Sequence, residues 1–416
     1  MPAAGGWGTG LGGIGRGRVG EIGVLSVVGI GADGLVGLAP AARAELDRAQ
    51  VVIGAARQLA LLPEEVTAER VAWPSPLVPA IPGLLDRYRD RVLCVLASGD
   101  PMFHGIGTTL SRYTEVRVWP HPSSVSLACA RLGWAVEEVA VVSAVAKPVE
   151  RLHAVLHPGR RVLVLSANGS TPAAVVALLR DRGFGASAVT VLQELGGPGE
   201  RIGTDLDGVS PLNVVAIDCV ADPGARRLPR VPGLPDDVYE HDGQITKREV
   251  RAVTVSSLAP EPGQLLWDVG AGSGSVGIEW ARTHPACRVI AVEPRDDRAD
   301  RVARNASALG VPGLVLVRGA APAALDGLEP PDAVFVGGGV TAEGVLPACW
   351  AALRPGGRIV VNAVTLESEV LVARWHGEVG GTLTRLSVGR AAPVGGFTGW
   401  RQAMPVTQWV AVKEQA

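Results

Sequence analysis

The chain has 416 residues, which at roughly 150 per domain corresponds to about two or three domains. Apolar residues make up 47% and charged residues 19%, the balance of a core-forming chain, and no apolar run approaches the roughly 20 residues that span a bilayer, so neither a disordered nor an integral membrane protein is expected. A net charge of −2 removes the broad cationic field of a non-specific nucleic-acid binder.

Lysine occurs only at Lys147, Lys247 and Lys413, so almost all positive charge is arginine. Codon usage is one account of this, and the fit of guanidinium forks to a carboxylate-rich substrate is another. The cysteines Cys94, Cys129, Cys219, Cys287 and Cys349 are odd in number and scattered, with no CxxC pair. That speaks against a disulfide framework or zinc knuckle and for a reducing cytoplasm.

Residues 1–23 are glycine-rich with no apolar h-region, and are expected to form a flexible tail. From Val24 the pattern predicts a strand over 24–28 ending in Gly29-Ile30-Gly31, a helix over 40–50, a strand over 51–54, and a third over 91–97 that runs into Ser98-Gly99-Asp100-Pro101. A second block with the same grammar predicts strands at 161–166, 188–192 and 212–219 and a helix at 172–182. Residues 221–237 are dense in Pro, Gly and Arg without hydrophobic period, which places a linker at 222–235 between a domain of residues 24–221 and one of residues 236–416.

The last segment restarts with a helix over 246–258, with Thr246 as N-cap and Glu249 completing a capping box. Strands follow at 264–269, 288–292, 314–317, 332–336 and 358–363, with helices to about Thr283 and over 297–309, which reads as a doubly wound parallel sheet. The stretch from Asp268 to Gly277, DVGAGSGSVG, joins the first strand to its helix. Alternating glycines bend tightly and let a ligand approach the backbone, with helix N-terminal amides facing it.

Two ligands use this geometry. Gly272-x-Gly274-x-x-Gly277 matches the dinucleotide fingerprint, which means NAD. The other is S-adenosylmethionine, favoured by Asp268 two residues before Gly270 in a D-x-G-x-G-x-G phase and by the absence of a Tyr-x-x-x-Lys pair or hydride-transfer dyad. Glu293, just past the next strand, suits the ribose hydroxyls of either. Pro330-Pro331 precedes the fourth strand, whereas the (D/N)PP(Y/F) motif of amino-group methylases follows it, so that acceptor class does not fit.

The stretches DGQITKREVR (242–251), LWDVGAGSGSVGIEWAR (266–282), LRPGGRIVVNAVTLE (353–367) and PVTQW (405–409) resemble the decarboxylating half of the precorrin-6Y C5,15-methyltransferase family. The first half, through VGIG (28–31), LASGDPMFHGIG (96–107), PSSVSLACARLG (122–133), TPA (171–173) and ELGGPGERI (194–202), is similar to the tetrapyrrole methylases. The resemblance implies a tetrapyrrole-methylase unit of two α/β subdomains, followed by a doubly wound Rossmann-like methyltransferase domain. It implies methylation of an anionic precorrin-6 type tetrapyrrole at carbons 5 and 15, with decarboxylation of the ring-C acetate and one S-adenosylmethionine site per domain. Cofactor contacts are then expected at Ser98, Gly99, Asp100, Phe103, Ser123 and Ser124 in the first half. In the second they are expected at Thr246, Asp268, Gly270, Gly272, Gly274, Glu293 and Ala320, with Lys247 and Arg248 anchoring substrate carboxylates. A cytoplasmic homo-oligomer without metal is implied, and no residue is assigned to proton transfer.

Each of these has a plainer reading. Asp100-Pro101 also suits a turn cap, Lys247 and Arg248 a solvated helix start, and His104 beside Phe103 a packed side chain rather than a base. Trp267 and Trp280 read as core. The chain departs from the family at 144–148, AVAKP in place of a His-Gly-Arg sequence that Lys147 replaces in part, at Ala32-Asp33 where a proline is usual, and at Gly319-Ala320 where Gly-Asp is common. A cofactor-binding protein without turnover remains the alternative of a different class.

Overall fold

The computed structural model describes residues 24–415; the expected tail at 1–23 lies outside the described residues. Contacts divide the chain into two compact units. One holds the residues up to Val145 with Arg161–Ala174 and Ala188–Asp218; the other holds Ala146–Arg160, Val175–Ser187 and the chain from Cys219 onward.

The first unit contains two five-stranded sheets. In the first, β1 (Leu25–Ile30), β2 (Val51–Gly54), β3 (Glu69–Ala72), β4 (Leu93–Ser98) and β5 (Val116–Trp119) are all parallel, in the order β3-β2-β4-β1-β5. Both faces are covered, which is why β1 and β2 are buried along their whole length and mostly apolar, with Ser26 bonded to Glu45 Oε2 at 2.7 Å. Leu25, Val27, Ile53 and Val95 pack on one face, and Val28, Ile30, Val52 and Leu96 on the other. The second sheet comprises β6 (Val139–Ser143), β7 (Arg161–Leu165), β8 (Ala188–Gln193), β9 (Arg201–Gly203) and β10 (Asn213–Asp218), in the order β6-β7-β10-β8-β9. Only β6 and β7 run parallel, so the second block does not repeat the grammar of the first.

The second unit is built on seven strands: β11 (Leu265–Val269), β12 (Arg288–Glu293), β13 (Val315–Arg318), β14 (Ala333–Val336), β15 (Arg358–Ala363), β16 (Thr382–Leu386) and β19 (Val406–Val412). Their order is β13-β12-β11-β14-β15-β19-β16. The first five are parallel, as in a doubly wound sheet, while β19 pairs antiparallel with both β15 and β16. A hairpin of β17 (Gly389–Val394) and β18 (Phe397–Gln402) links β16 to β19. Trp267 and Trp280 are core, as expected, on opposite faces of the sheet.

Two local expectations change. The helix begins at Arg248, with Lys247 in extended conformation as its cap and no side-chain capping bond. The Thr246 carbonyl instead accepts from Arg251 Nη1 at 2.5 Å, and Glu249 pairs with Arg390 of β17, so no capping box forms. The stretch 222–235, read as a linker, is packed: Leu228 and Leu234 join Tyr239, Ile278, Ala306 and Leu309 in one apolar cluster. Proline and glycine break the spacing of these leucines, so no period marks them.

Candidate functional site

In the second unit the strand order reverses between β11 and β14, the position where doubly wound sheets open a crevice beyond their strand ends. The glycine loop leaves β11 here. Gly270, Gly272 and Gly274 all have positive φ (70°, 60° and 74°), a conformation L side chains resist. A Cβ on Gly270 would lie 2.5 Å from the Gly338 carbonyl oxygen, so the two loops after β11 and β14 touch backbone to backbone. Over Gly272 there is room: an added Cβ would meet only Gln244 O, at 3.6 Å.

Two buried carboxylates support this loop. Asp268 Oδ2 accepts from Gly277 N at 2.9 Å, tying the strand end to the start of the helix Ser275–Thr283. Its Oδ1 is buried without a partner among the described residues, as is Ser273 Oγ. Burial pushes the Asp268 carboxyl up to about 7, and the nearby Glu293 charge adds to the rise. Glu293 Oε2 accepts from Gly272 N at 2.7 Å and its Oε1 from Arg295 N at 3.1 Å. Each oxygen has a second lone pair for a ligand hydroxyl.

Below Asp268's raised value the native state holds a proton that the unfolded chain has already lost, so this group lowers stability as pH rises from about 4 through about 7. The rise corresponds to at most about 4 kcal/mol. Asp268→Asn, which cannot ionise, is expected to flatten that dependence. Amide-exchange protection of β11 measured at pH 5 and pH 8 checks it; equal pH dependence in the two proteins would contradict the assignment.

The segment 239–247 is held against the loop by side chains remote in sequence. Asn305 Oδ1 accepts from Glu240 N (2.9 Å), while its Nδ2 donates to Glu240 O (3.0 Å) and Ser273 O (2.9 Å). Asp242 pairs with Arg298 and Arg301, and its backbone and ion-pair contacts hold its carboxyl well below the usual range. Thr246 is half-buried. Lys247 is half-buried with no side-chain partner among the described residues, whereas exposed Arg248 gives its Nε to Gly233 O at 2.8 Å. Ala320 is exposed beyond β13, next to Gly319, whose N–H bonds Glu293 O at 3.2 Å.

The first unit holds a separate cavity of about 370 Å³ at the ends of β1 and β4, closed by residues of β7, β8 and β10. Ser98, Gly99, Asp100, Phe103, Ser123 and Ser124 all line it. Gly99 has φ 58°, and its carbonyl oxygen lies 2.1 Å from where a Gly29 Cβ would stand, so these two strand ends require glycine. Ser123 caps the helix Ser124–Leu132 by accepting from Ser126 N at 3.0 Å. Asp100 Oδ1 accepts from Met102 N at 2.8 Å, the turn-cap contact. Phe103 meets His104 edge-on at 4.8 Å. The loop with Ala32-Asp33 in place of a proline is held by Asp33 Oδ2 against His121 Nε2 at 3.2 Å. Lys147 is exposed and is not among the cavity's lining residues.

Arg57 and Gln58 also line this cavity and both donate to Ser98 Oγ, at 2.9 and 3.0 Å. Neither has a sequence signal, because they meet Ser98 only through the pairing of β2 with β4. Asn305 is likewise an ordinary helix residue in the sequence. Among the described residues no helix is long and apolar enough to cross a membrane.

Two α/β units, one with a glycine loop backed by buried carboxylates and one with a cavity at strand ends, define a methyltransferase of two unlike domains. The family described as "Tetrapyrrole (Corrin/Porphyrin) Methylases" matches residues 24–208, and "Precorrin methyltransferase domain" matches residues 237–413. A precorrin-6Y C(5,15)-methyltransferase [decarboxylating] of Sinorhizobium sp is 49% identical over 92% of this chain and 95% of that protein. Its namesake from Mycobacterium tuberculosis is 47% identical over 94% of this chain and 100% of that protein. The solved C-terminal domain of precorrin-6Y C5,15-methyltransferase from Rhodobacter capsulatus is 45% identical, covers 45% of this chain and 100% of that one, and has a TM-score of 0.43. The chain belongs to the precorrin-6Y C5,15-methyltransferase (decarboxylating) family. The dinucleotide reading of Gly272-x-Gly274-x-x-Gly277 falls away with that. Gly277 has its own reason, since a Cβ there would lie 2.8 Å from Asp268 Oδ2 and 2.9 Å from Val289 Cγ1.

Proposed function

We propose that the chain methylates a precorrin-6 type tetrapyrrole at carbons 5 and 15 and removes carbon dioxide from its ring-C acetate, with one S-adenosylmethionine site in each domain. Residues 24–221 carry the C5 step and residues 236–416 the C15 step with decarboxylation. The observation that carries this reading is two complete, non-overlapping sets of polar groups at strand ends, the cavity of Ser98 and Asp100 in one unit and the glycine loop with Asp268 and Glu293 in the other.

The glycine loop suits the cofactor. It has open space over Gly272, two buried polar atoms without partners, and a carboxylate at the end of β12. Glu293 would receive the ribose hydroxyls, and Asp268, Gly270, Gly272 and Gly274 the methionine end. When bound, S-adenosylmethionine supplies an electrophilic methyl group on a sulfonium.

The meso carbons of the reduced macrocycle are enamine-like nucleophiles, so the protein's part is to orient the ring, exclude water and hold its acid arms. Lys247, three residues from the Gln244 carbonyl that faces Gly272, is placed to take one such arm in a protein with little net charge. Arg248 is a weaker anchor, because its side chain is exposed and water competes for its donors. The electron pair left by departing carbon dioxide passes into the conjugated ring. The same reading makes the enzyme a cytoplasmic homo-oligomer.

Purified protein incubated with S-adenosylmethionine and precorrin-6B, with the product weighed, tests the proposal. A gain of two methyl groups with loss of one carbon dioxide is expected. Cofactor binding with an unchanged tetrapyrrole mass would overturn it in favour of a non-catalytic binding protein.

A further inference from the structure

We propose that Arg57 is the carboxylate-recognising residue of the cavity in the first unit. The inference rests on the reading of that cavity as the first methylation site.

Its position follows from the sheet. The helix Ala56–Ala60 starts two residues after β2, and β2 pairs in parallel with β4, so residues leaving these two strands share one edge. That brings Arg57 Nη2 within 2.9 Å of Ser98 Oγ, 41 residues away. Gln58, itself buried, donates to the same oxygen and to no other side chain, which fixes the hydroxyl between them.

A guanidinium has five N–H donors, and this one has a single neutral acceptor among the described residues. The contrast within the chain is sharp. Buried Arg251 is met by the carboxylates of Glu279 and Asp236, and buried Arg282 by the carbonyls of Leu309, Leu228 and Pro229. Arg57 is half-buried in a cavity that is largely apolar, and burial draws its proton affinity below the ordinary arginine range, with the Glu194 carboxylate offsetting this only in part. Glu194 forms no ion pair with it and accepts instead from the Ser210 hydroxyl. The other charged residue at this rim, Asp100, is turned to the Met102 amide. A partly desolvated cation with four donors that no protein group takes, beside a largely apolar cavity, is matched by a ligand that brings its own carboxylate. Both expected ligands carry one: the methionine end of the cofactor, and the acetate and propionate arms of the tetrapyrrole.

Arg57→Gln and Arg57→Lys in the full chain test this, with the second methylation as an internal measure of folding. Charged hydrogen bonds of this kind support an effect of about tenfold or more. Arg57→Gln is therefore expected to raise at least about tenfold either the KM for the tetrapyrrole or the KM for S-adenosylmethionine in the first methylation, with Arg57→Lys recovering part of the loss. Inhibition of that step by S-adenosylhomocysteine, compared with 5′-methylthioadenosine, which lacks the amino-acid end, separates the two sources. Weakening of the former alone assigns the carboxylate to the cofactor, and a raised tetrapyrrole KM with both inhibitors unaffected assigns it to a substrate arm. Unchanged constants in Arg57→Gln would overturn the proposal while the site reading stands. A wild-type protein that performs only the second methylation would overturn the site reading itself, and Arg57's role with it.

Discussion

Gly270→Ala is expected to lower the second methylation and the decarboxylation about 100-fold while leaving the first methylation within about twofold of wild type. The added Cβ meets the Gly338 carbonyl oxygen at 2.5 Å, in a backbone conformation with φ 70° that already costs an alanine about 1–2 kcal/mol. Neither strand can retreat, because β11 and β14 pair directly from Leu266 to Val269. The loop itself therefore moves, and Gly272, whose amide is fixed to Glu293, moves with it. A displacement of about 1 Å at a site that works by alignment is enough for a loss of about 100-fold in kcat/KM. Mass spectrometry of the product reads this directly as one methyl group gained and no carbon dioxide lost. Loss of both methylations together in a folded protein would show that the two sites are not independent.

Glu279→Ala is expected to destabilise the second unit by about 3–5 kcal/mol. Glu279 is buried and Arg251 fully so, and they form an ion pair at 2.7 Å. The same carboxylate accepts from Gly233 N, Leu234 N and the Tyr239 hydroxyl, and the Arg251 guanidinium stacks 4.8 Å from the Tyr239 ring. Removing it leaves three donors without an acceptor and buried Arg251 with half-buried Asp236 as its remaining carboxylate partner. Arg251→Met combined with Glu279→Met removes both charges and is expected to cost less than Glu279→Ala alone. Urea unfolding followed by amide exchange in the helix Arg248–Leu258 checks both. A single-variant loss below about 1 kcal/mol would show that the pair does not hold the segment 228–239 in place.

These two sites differ in how visible they are in the sequence. The glycine loop announces itself because strand end, glycines and helix start are contiguous, so one local stretch contains the whole geometry. The central strands β1, β2, β11, β12, β14 and β15 were equally legible, since burial on both faces makes each a largely apolar run. The strands β3, β9, β17 and β18 were not. They lie at sheet edges or in the separate hairpin, their residues are mostly exposed, and no apolar pattern is required of them. The packing of residues 228–239 was hidden for a related reason: its leucines are placed by prolines and glycines, and it is held by backbone amides that any sequence possesses.

By itself, then, the sequence determined the α/β class, the glycine loop with Asp268 and Glu293, and the family, because each is written in contiguous residues whose chemistry does not depend on distant partners. Only the tertiary structure decided that Arg57 shares a sheet edge with Ser98, that Asn305 joins residue 240 to the glycine loop, and that Lys247 rather than Thr246 caps the helix Arg248–Leu258. Those contacts join residues up to 65 positions apart, and strand order and helix packing choose among the many partners each polar side chain has available.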